Sequence, residues 1–144
     1  MDGNGQSAAK ERFFTLPELA EMSSIDYRTL HNWQKRGMLR PSHREASGSG
    51  TSSLFDATDA LQVLILAELR LGGVEVKLLE RIAPRVHELA ASVNGKDLLL
   101  ISDDGVDLRD AEELDGSLSR ERPNLVLSIS KARHAVEQAQ ADLL

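Results

Sequence analysis

The chain has 144 residues and 41% apolar content, enough to bury a core in one compact domain or two small ones. It contains no cysteine, which excludes structural disulfides, thiolate metal sensing and cysteine nucleophiles. Its net charge of −6 and pI near 5.2 count against a uniformly basic nucleic-acid-binding surface, and no apolar run reaches the ~18 residues of a membrane span. No basic-then-apolar leader opens the sequence, so a soluble, cytoplasmic protein is expected. Aromatic residues make up only 3% of the chain, which leaves the packing to aliphatic side chains.

Residues 1–12, beginning MDGNGQSAAK, are expected to be disordered. From Phe14 to Pro41 the sequence FTLPELAEMSSIDYRTLHNWQKRGMLRP reads as two short helices joined by a tight turn and followed by a basic segment. Thr15 and Glu18 form a T-x-x-E capping box, and Pro17 lies in the first turn, where a missing N–H costs little. Leu16, Leu19, Ala20 and Met22 supply the apolar side of this first helix. Asp26 is a good N-cap for the second, and Gly37 tolerates the left-handed conformation that commonly ends helices.

The second helix separates its chemistry by face. Arg28, His31, Asn32 and Lys35 recur at i, i+3, i+4 and i+7, with Leu30 elsewhere on the cylinder. Arginine and asparagine match the edges of guanine and adenine in the major groove, while lysine and arginine neutralise phosphates. A merely solvated helix face would show the same periodicity. Trp33 is assigned to packing behind this helix with its N–H toward a polar edge, direct contact with DNA being the alternative.

Ser42 to Ser53, SHREASGSGTSS, has no hydrophobic alternation and reads as a flexible loop, either an inert linker or a segment that settles along a phosphate backbone. Asp56 is a plausible cap for a helix through Ala60, Leu61, Val63, Leu64, Leu66, Ala67 and Leu69, whose nearly all-round apolarity places it at the centre of the packing. Gly72 and Gly73 break it. A further helix runs through Val76, Leu79 and Ile82 to Pro84, which either kinks or restarts it, and continues with Val86, Leu89, Ala90 and Val93.

Near Asn94-Gly95 the pattern changes. Leu98 to Ile101, then Val106 and Leu108 across an Asp104-Gly105 hairpin signal, and Leu125 to Ile129 read as three strands. A short helix is expected around Asp110 to Leu114, and a final one from Lys131 to Leu144 capped by Ser130, with an apolar stripe of Ala132, Ala135, Val136 and Ala139. So small a unit needs support from residues 74–93 or from a second subunit.

Charge is unevenly distributed. Residues 25–50 hold five Lys/Arg against two Asp/Glu, whereas residues 97–121 hold nine Asp/Glu against two Lys/Arg. Fields at an interface are set within about 8–10 Å, so a local basic surface can work on an acidic protein. The acidic residues Asp103, Asp104, Asp107 and Asp110 lack the order and terminal glutamate of a calcium loop. His87 and His134 are isolated in sequence and read as surface or packed side chains. No catalytic constellation or phosphate loop stands out, so no enzymatic activity, cofactor or metal is expected.

Residues 14–82 resemble the N-terminal winged-helix domain of the MerR family of transcription regulators. The family's opening phrase, hydrophobic-T-x-x-E-L-A, is matched by Phe14, Thr15, Glu18, Leu19 and Ala20. Its continuation, V-S-x-R-T-L-R-Y-Y-E-x-x-G-L-L-x-P, is followed by Ile25, Asp26, Arg28, Thr29, Leu30, Trp33, Gly37, Leu39 and Pro41, with Met38 a mild change. A later phrase is matched by Phe55, Asp59, Leu61, Leu69, Arg70 and Gly73, then Leu79 and Ile82. Three departures stand out: His31 and Asn32 replace an Arg-Tyr pair, Ser53 stands where the family generally carries a wing arginine, and the helix after Pro84 is short for the family's long antiparallel dimerisation helix.

The resemblance implies a winged helix-turn-helix domain, and with the α/β reading of residues 95–144 the expected fold is mainly α, that domain followed by a small α/β C-terminal module. The expected divisions are a disordered 1–12, a DNA-binding domain at 13–83, a connecting helix at 84–94 and a dimerisation or regulatory module at 95–144. The implied function is sequence-specific regulation of transcription by a homodimer on double-stranded DNA. RNA polymerase or another protein is a further partner class. Arg28, His31, Asn32 and Lys35 are expected to face the groove, and Tyr27, Arg36, Arg40, His43 and Arg44 the phosphates. Two rival readings are an adaptor that binds protein through a winged-helix scaffold and a phage DNA excision or packaging protein.

Overall fold

The computed structural model describes residues 12–43, 53–92, 96–102, 105–110 and 125–142. It is mainly α-helical, with a small α/β unit at the C-terminal end. Helix α1 (Leu16–Ser23) starts at the expected capping box: Thr15 accepts from the Glu18 N–H, and Glu18 Oε1 accepts from the Thr15 N–H at 2.9 Å. Arg12 also pairs with Glu18. Burial alone would raise the Glu18 carboxyl, but the Thr15 N–H and hydroxyl, with Arg12, outweigh it and hold it below its ordinary value.

Residues Ser24 to Asp26 turn the chain into α2 (Tyr27–Lys35). Ser24 adopts a left-handed φ of 62°, and Ile25 is buried beneath the turn. Asp26 caps α2 by accepting from the Arg28 N–H at 2.9 Å and from the Thr29 hydroxyl at 2.8 Å. Those bonds, Thr29's first, lower its pKa.

Helix α3 (Ala57–Leu71) is the centre of the packing, as its all-round apolar sequence requires. Ten of its fifteen residues are buried. It opens with a second capping box, between Asp56 and Asp59, and ends at Gly72 and Gly73, the latter with φ 102°. Helix α4 (Val76–Ala90) then runs as one element with the exposed Pro84 inside it, so the proline does not restart it. Phe14 and Phe55, both fully buried, form an antiparallel bridge that closes the helical unit.

Strands β1 (Leu98–Ser102), β2 (Gly105–Arg109) and β3 (Leu125–Ser128) form an antiparallel sheet in the order β2-β1-β3. Leu99 lies opposite Leu108 and Leu127, and Ile101 opposite Val106 and Leu125, which places these side chains on the core face. β1 and β2 pair as the expected hairpin, but Gly105 already opens β2 opposite Ser102, so it is a strand residue rather than part of the turn as the Asp104-Gly105 signal has it. Of the helix expected at 110–114, only Asp110 is described, and it is not helical.

Helix α5 spans Ser130–Ala141. Its N-cap is Ile129 rather than Ser130, and no side chain caps it. The reason is tertiary: Ile129 is fully buried and its N–H donates to the Asp97 carbonyl at 2.8 Å, which sets where the chain turns. The expected stripe faces inward, with Ala132 and Val136 buried, and the helix packs on α3. Strand β2 does pack on α4, and Arg85 Nε donates to the Val106 carbonyl at 3.3 Å. One hydrophobic cluster therefore runs from Phe14 to Val136 and joins the sheet unit to the helices.

The depressed Glu18 carboxyl predicts a pH-dependent cap. Its contribution is complete above its ordinary value of 4.5 and fades as pH falls through the lower folded-state value. Melting curves should place Glu18→Gln below the parent chain at neutral pH. That gap should close in acid.

Candidate nucleic-acid interface

Helix α2 is held by its inner face. Leu30 is fully buried, Trp33 is 2% exposed, and both join the core with Leu19, so Trp33 packs behind the helix. Arg28, Asn32 and Lys35 are exposed on the opposite side, as three side chains at i, i+4 and i+7 must be when the other face is anchored. His31 is half-buried among them, and its ring stacks on that of Tyr27 with centroids 5.9 Å apart. Tyr27 remains 50% exposed, an aromatic ring left on the solvent side.

The end of α2 is fixed by a Schellman motif. The Met38 N–H donates to the Trp33 carbonyl and the Gly37 N–H to the Gln34 carbonyl, each at 3.0 Å, while Gly37 takes φ 82°. Met38 buries its side chain beside Trp33's cluster, which supplies the apolar contact usual to the motif. This geometry turns the chain sharply so that Arg40 emerges beside His31 and Lys35 of α2. His31, Gln34, Lys35, Leu39, Arg40 and Pro41 line a cleft of about 390 Å³ together with Gly37.

The loop that follows is tied down at both described ends. Ser42 donates its N–H and its hydroxyl to Asp59 at 2.8 and 2.7 Å, and the His43 N–H donates to the Leu54 carbonyl at 3.2 Å. At the far end, Ser53 Oγ accepts from Gln34 Nε2 at 3.1 Å, which connects the loop to α2. His43 is exposed and stacks on Phe13 with centroids 3.6 Å apart. The central stretch expected to be flexible, with Arg44, lies outside the described residues.

Arg36 is exposed, but its guanidinium donates to Glu80 on α4 at 3.2 Å. Both partners are substantially exposed, so the pair is a weak one and open to exchange for another anion. The structure thus brings His31, Lys35 and Arg40 to one cleft, with Tyr27 stacked on His31 and Arg28 and Asn32 exposed on the same helix, whereas Arg36 is paired with Glu80 and His43 stacks on Phe13. It also reveals a buried polar cluster beneath the loop that sequence reasoning missed. Gln62, 3% exposed, donates to the Ala83 carbonyl at 2.8 Å and to the Met38 carbonyl at 3.3 Å. Asp59, 1% exposed, holds Ser42 and is met by His87 at 2.7 Å. His87 is therefore not isolated: its partner is 28 residues away and invisible to local spacing. His134 is exposed.

The described residues contain no group of three or more His, Cys, Asp or Glu placed to hold a metal, and no helix long and apolar enough to cross a membrane. A helix bearing outward Arg, Asn and Lys, preceded by a tight turn and followed by a tethered basic loop, has the make-up of a DNA-reading unit. The model of the MerR HTH family regulatory proteins matches residues 14–85. The chain belongs to the MerR family. That match covers the helices and loop just described and reaches three residues beyond the resemblance read from the sequence, into α4. No curated protein matches the chain. MerR-type domains of this kind are regulatory and DNA-binding, which makes the chain a DNA-binding transcription regulator.

The Schellman turn supplies a test of how the reading end is held. A Cβ at Gly37 would meet nothing within 4 Å, so the cost of substitution is conformational rather than steric. Gly37→Ala should lower stability by roughly 1 kcal/mol, since alanine disfavours positive φ. Chemical denaturation measures this directly.

Proposed function

We propose that the protein is a cytoplasmic homodimer that binds specific double-stranded DNA sequences through α2 and a wing formed by residues 42–53. The observation that carries this reading is the division of α2 into an anchored half, Leu30 and Trp33, and an exposed half, Arg28, Asn32 and Lys35. Arg28, Asn32 and Lys35, with His31, read base edges. Tyr27, Arg40, His43 and Arg44 contact phosphates, and Arg36 joins them when it leaves Glu80 for a phosphate oxygen.

The departures from the family pattern shape the electrostatics. Histidine at 31 and asparagine at 32 reduce the certain positive charge of the reading helix, and Ser53 engages Gln34 where an arginine would reach outward. The expected result is specific binding with a smaller ionic component than in more basic relatives. Each phosphate contact contributes a slope of about −0.9 in log affinity against log salt. Arg28→Ala and Asn32→Ala should each cost about 1–3 kcal/mol on the cognate sequence and relax specificity at one position. Arg40→Ala should weaken all sequences alike and reduce the salt slope by about 1. Fluorescence anisotropy on duplexes from the protein's own upstream region measures all three. Affinity unchanged by Arg28→Ala and Asn32→Ala would remove α2 from the interface. Protein complexes in a pull-down, with no DNA affinity at low salt, would favour the adaptor reading.

Dimerisation follows from the small number of base contacts one α2 can make, because two units on repeated half-sites multiply their discrimination. Residues 95–144 are the proposed dimerisation or regulatory module, with RNA polymerase as a further partner at the promoter. Sedimentation equilibrium of the full chain should give twice the 15.8 kDa protomer mass, and a monomer at micromolar concentration would contradict the homodimer.

A further inference from the structure

Asp59 carries more hydrogen bonds than a helix cap requires. Its Oδ1 accepts from the Ser42 hydroxyl and from His87 Nε2, each at 2.7 Å; its Oδ2 accepts from the Ser42 N–H at 2.8 Å and the Asp56 N–H at 3.0 Å. Only the Asp56 bond serves α3 itself. The other three bring together the root of the loop and the last turn of α4. A carboxylate this deeply buried is tolerable only when its lone pairs are filled and its charge is answered.

Beside this cluster lies a cleft of about 470 Å³ lined by Gly37, Met38, Arg40, Ser42, Gln62, Pro84 and His87. Of the lining side chains, only Arg40 and His87 can carry positive charge. His87 occupies Asp59 from α4, and Arg40, exposed and two residues from Ser42, is left to face outward.

We propose that His87 is a positioning residue for DNA binding: by satisfying Asp59 it keeps Ser42 in place and leaves the Arg40 guanidinium available to a DNA phosphate. This rests on the DNA-binding reading above. Without an imidazole donor, Oδ1 of Asp59 loses one of its two partners on the side of the cleft, and Arg40 is the remaining cation able to swing in and replace it. The loss is then felt at the phosphate, although His87 touches no DNA.

The test uses the full chain and four variants, His87→Phe, His87→Gln, Arg40→Ala and the Arg40→Ala/His87→Phe double variant. Anisotropy titrations against an upstream duplex are run at several salt concentrations. His87→Phe should bind about tenfold more weakly at low salt, with a slope shallower by about one released counterion, as Arg40→Ala does. The double variant should be no weaker than Arg40→Ala, because both changes remove the same contact. His87→Gln, which retains a donor, should stay near the parent. If His87→Phe fails to fold, His87→Ala, which also removes the donor, takes its place under the same criteria, and an Arg40→Ala-like loss in His87→Gln overturns the proposal. Wild-type affinity and slope in His87→Phe, or losses that multiply in the double variant, would also overturn it. NMR of the Arg40 Nε–H in DNA-free protein gives an arm independent of DNA. Its exchange with water should slow in His87→Phe as the guanidinium pairs with Asp59, and an unaltered signal would contradict the proposal. Failure of the parent chain itself to bind any DNA would instead sink the DNA-binding reading.

Discussion

Anchoring one half of a short helix is the constraint on which this structure turns. Nine residues of α2 are too few to be stable alone in water, so the helix exists because Leu30 and Trp33 are drawn into the common core and because both ends are closed, by Asp26 at the start and by the Gly37 turn at the finish. Once those contacts are made, the rotational position of the helix is settled. Arg28, Asn32 and Lys35 must then project into solvent together. Their presentation is a by-product of burial on the other side, and it needs no interactions of its own.

The same economy extends to the loop. Two buried polar residues on α3, Asp59 and Gln62, reach the segment after α2 at Ser42 and Met38, and α4 completes both sets of contacts through His87 and the Ala83 carbonyl. Glu80 adds an exposed pair with Arg36 one turn earlier on the same helix. Glu80, Ala83 and His87 follow at i, i+3 and i+7, so one stripe of α4 addresses the reading end while Arg85 and its neighbours hold β2. α4 thus contacts both the segment after α2 and the C-terminal sheet.

Much of the first half was legible in sequence because its signals are local. The Thr15 and Glu18 box, the Asp26 cap, the Gly37 stop and the apolar course of α3 each declare themselves within four residues or through a short period. The C-terminal unit was legible in its strands and hairpin, whose alternation and turn residues are also local. What eluded the sequence is tertiary pairing. An apolar stripe of alanines and Val136 announces that α5 is buried but not that α3 is its partner. Arg36 with Glu80 and Asp59 with His87 are separated by 44 and 28 residues, and nothing in their immediate neighbours marks them. The start of α5 moved by one residue because the buried Ile129 and its bond to Asp97 outrank the capping preference of Ser130.

The exposed half of α2 is proposed as the surface that meets DNA. Chemical-shift mapping of the isotopically labelled chain against a duplex from its upstream region tests this most directly. Perturbations should concentrate at Tyr27, Arg28, His31, Asn32 and Lys35 and at residues 40–43, with α5 and the sheet little changed. Shifts confined to the C-terminal unit, with α2 unmoved at saturating DNA, would contradict it.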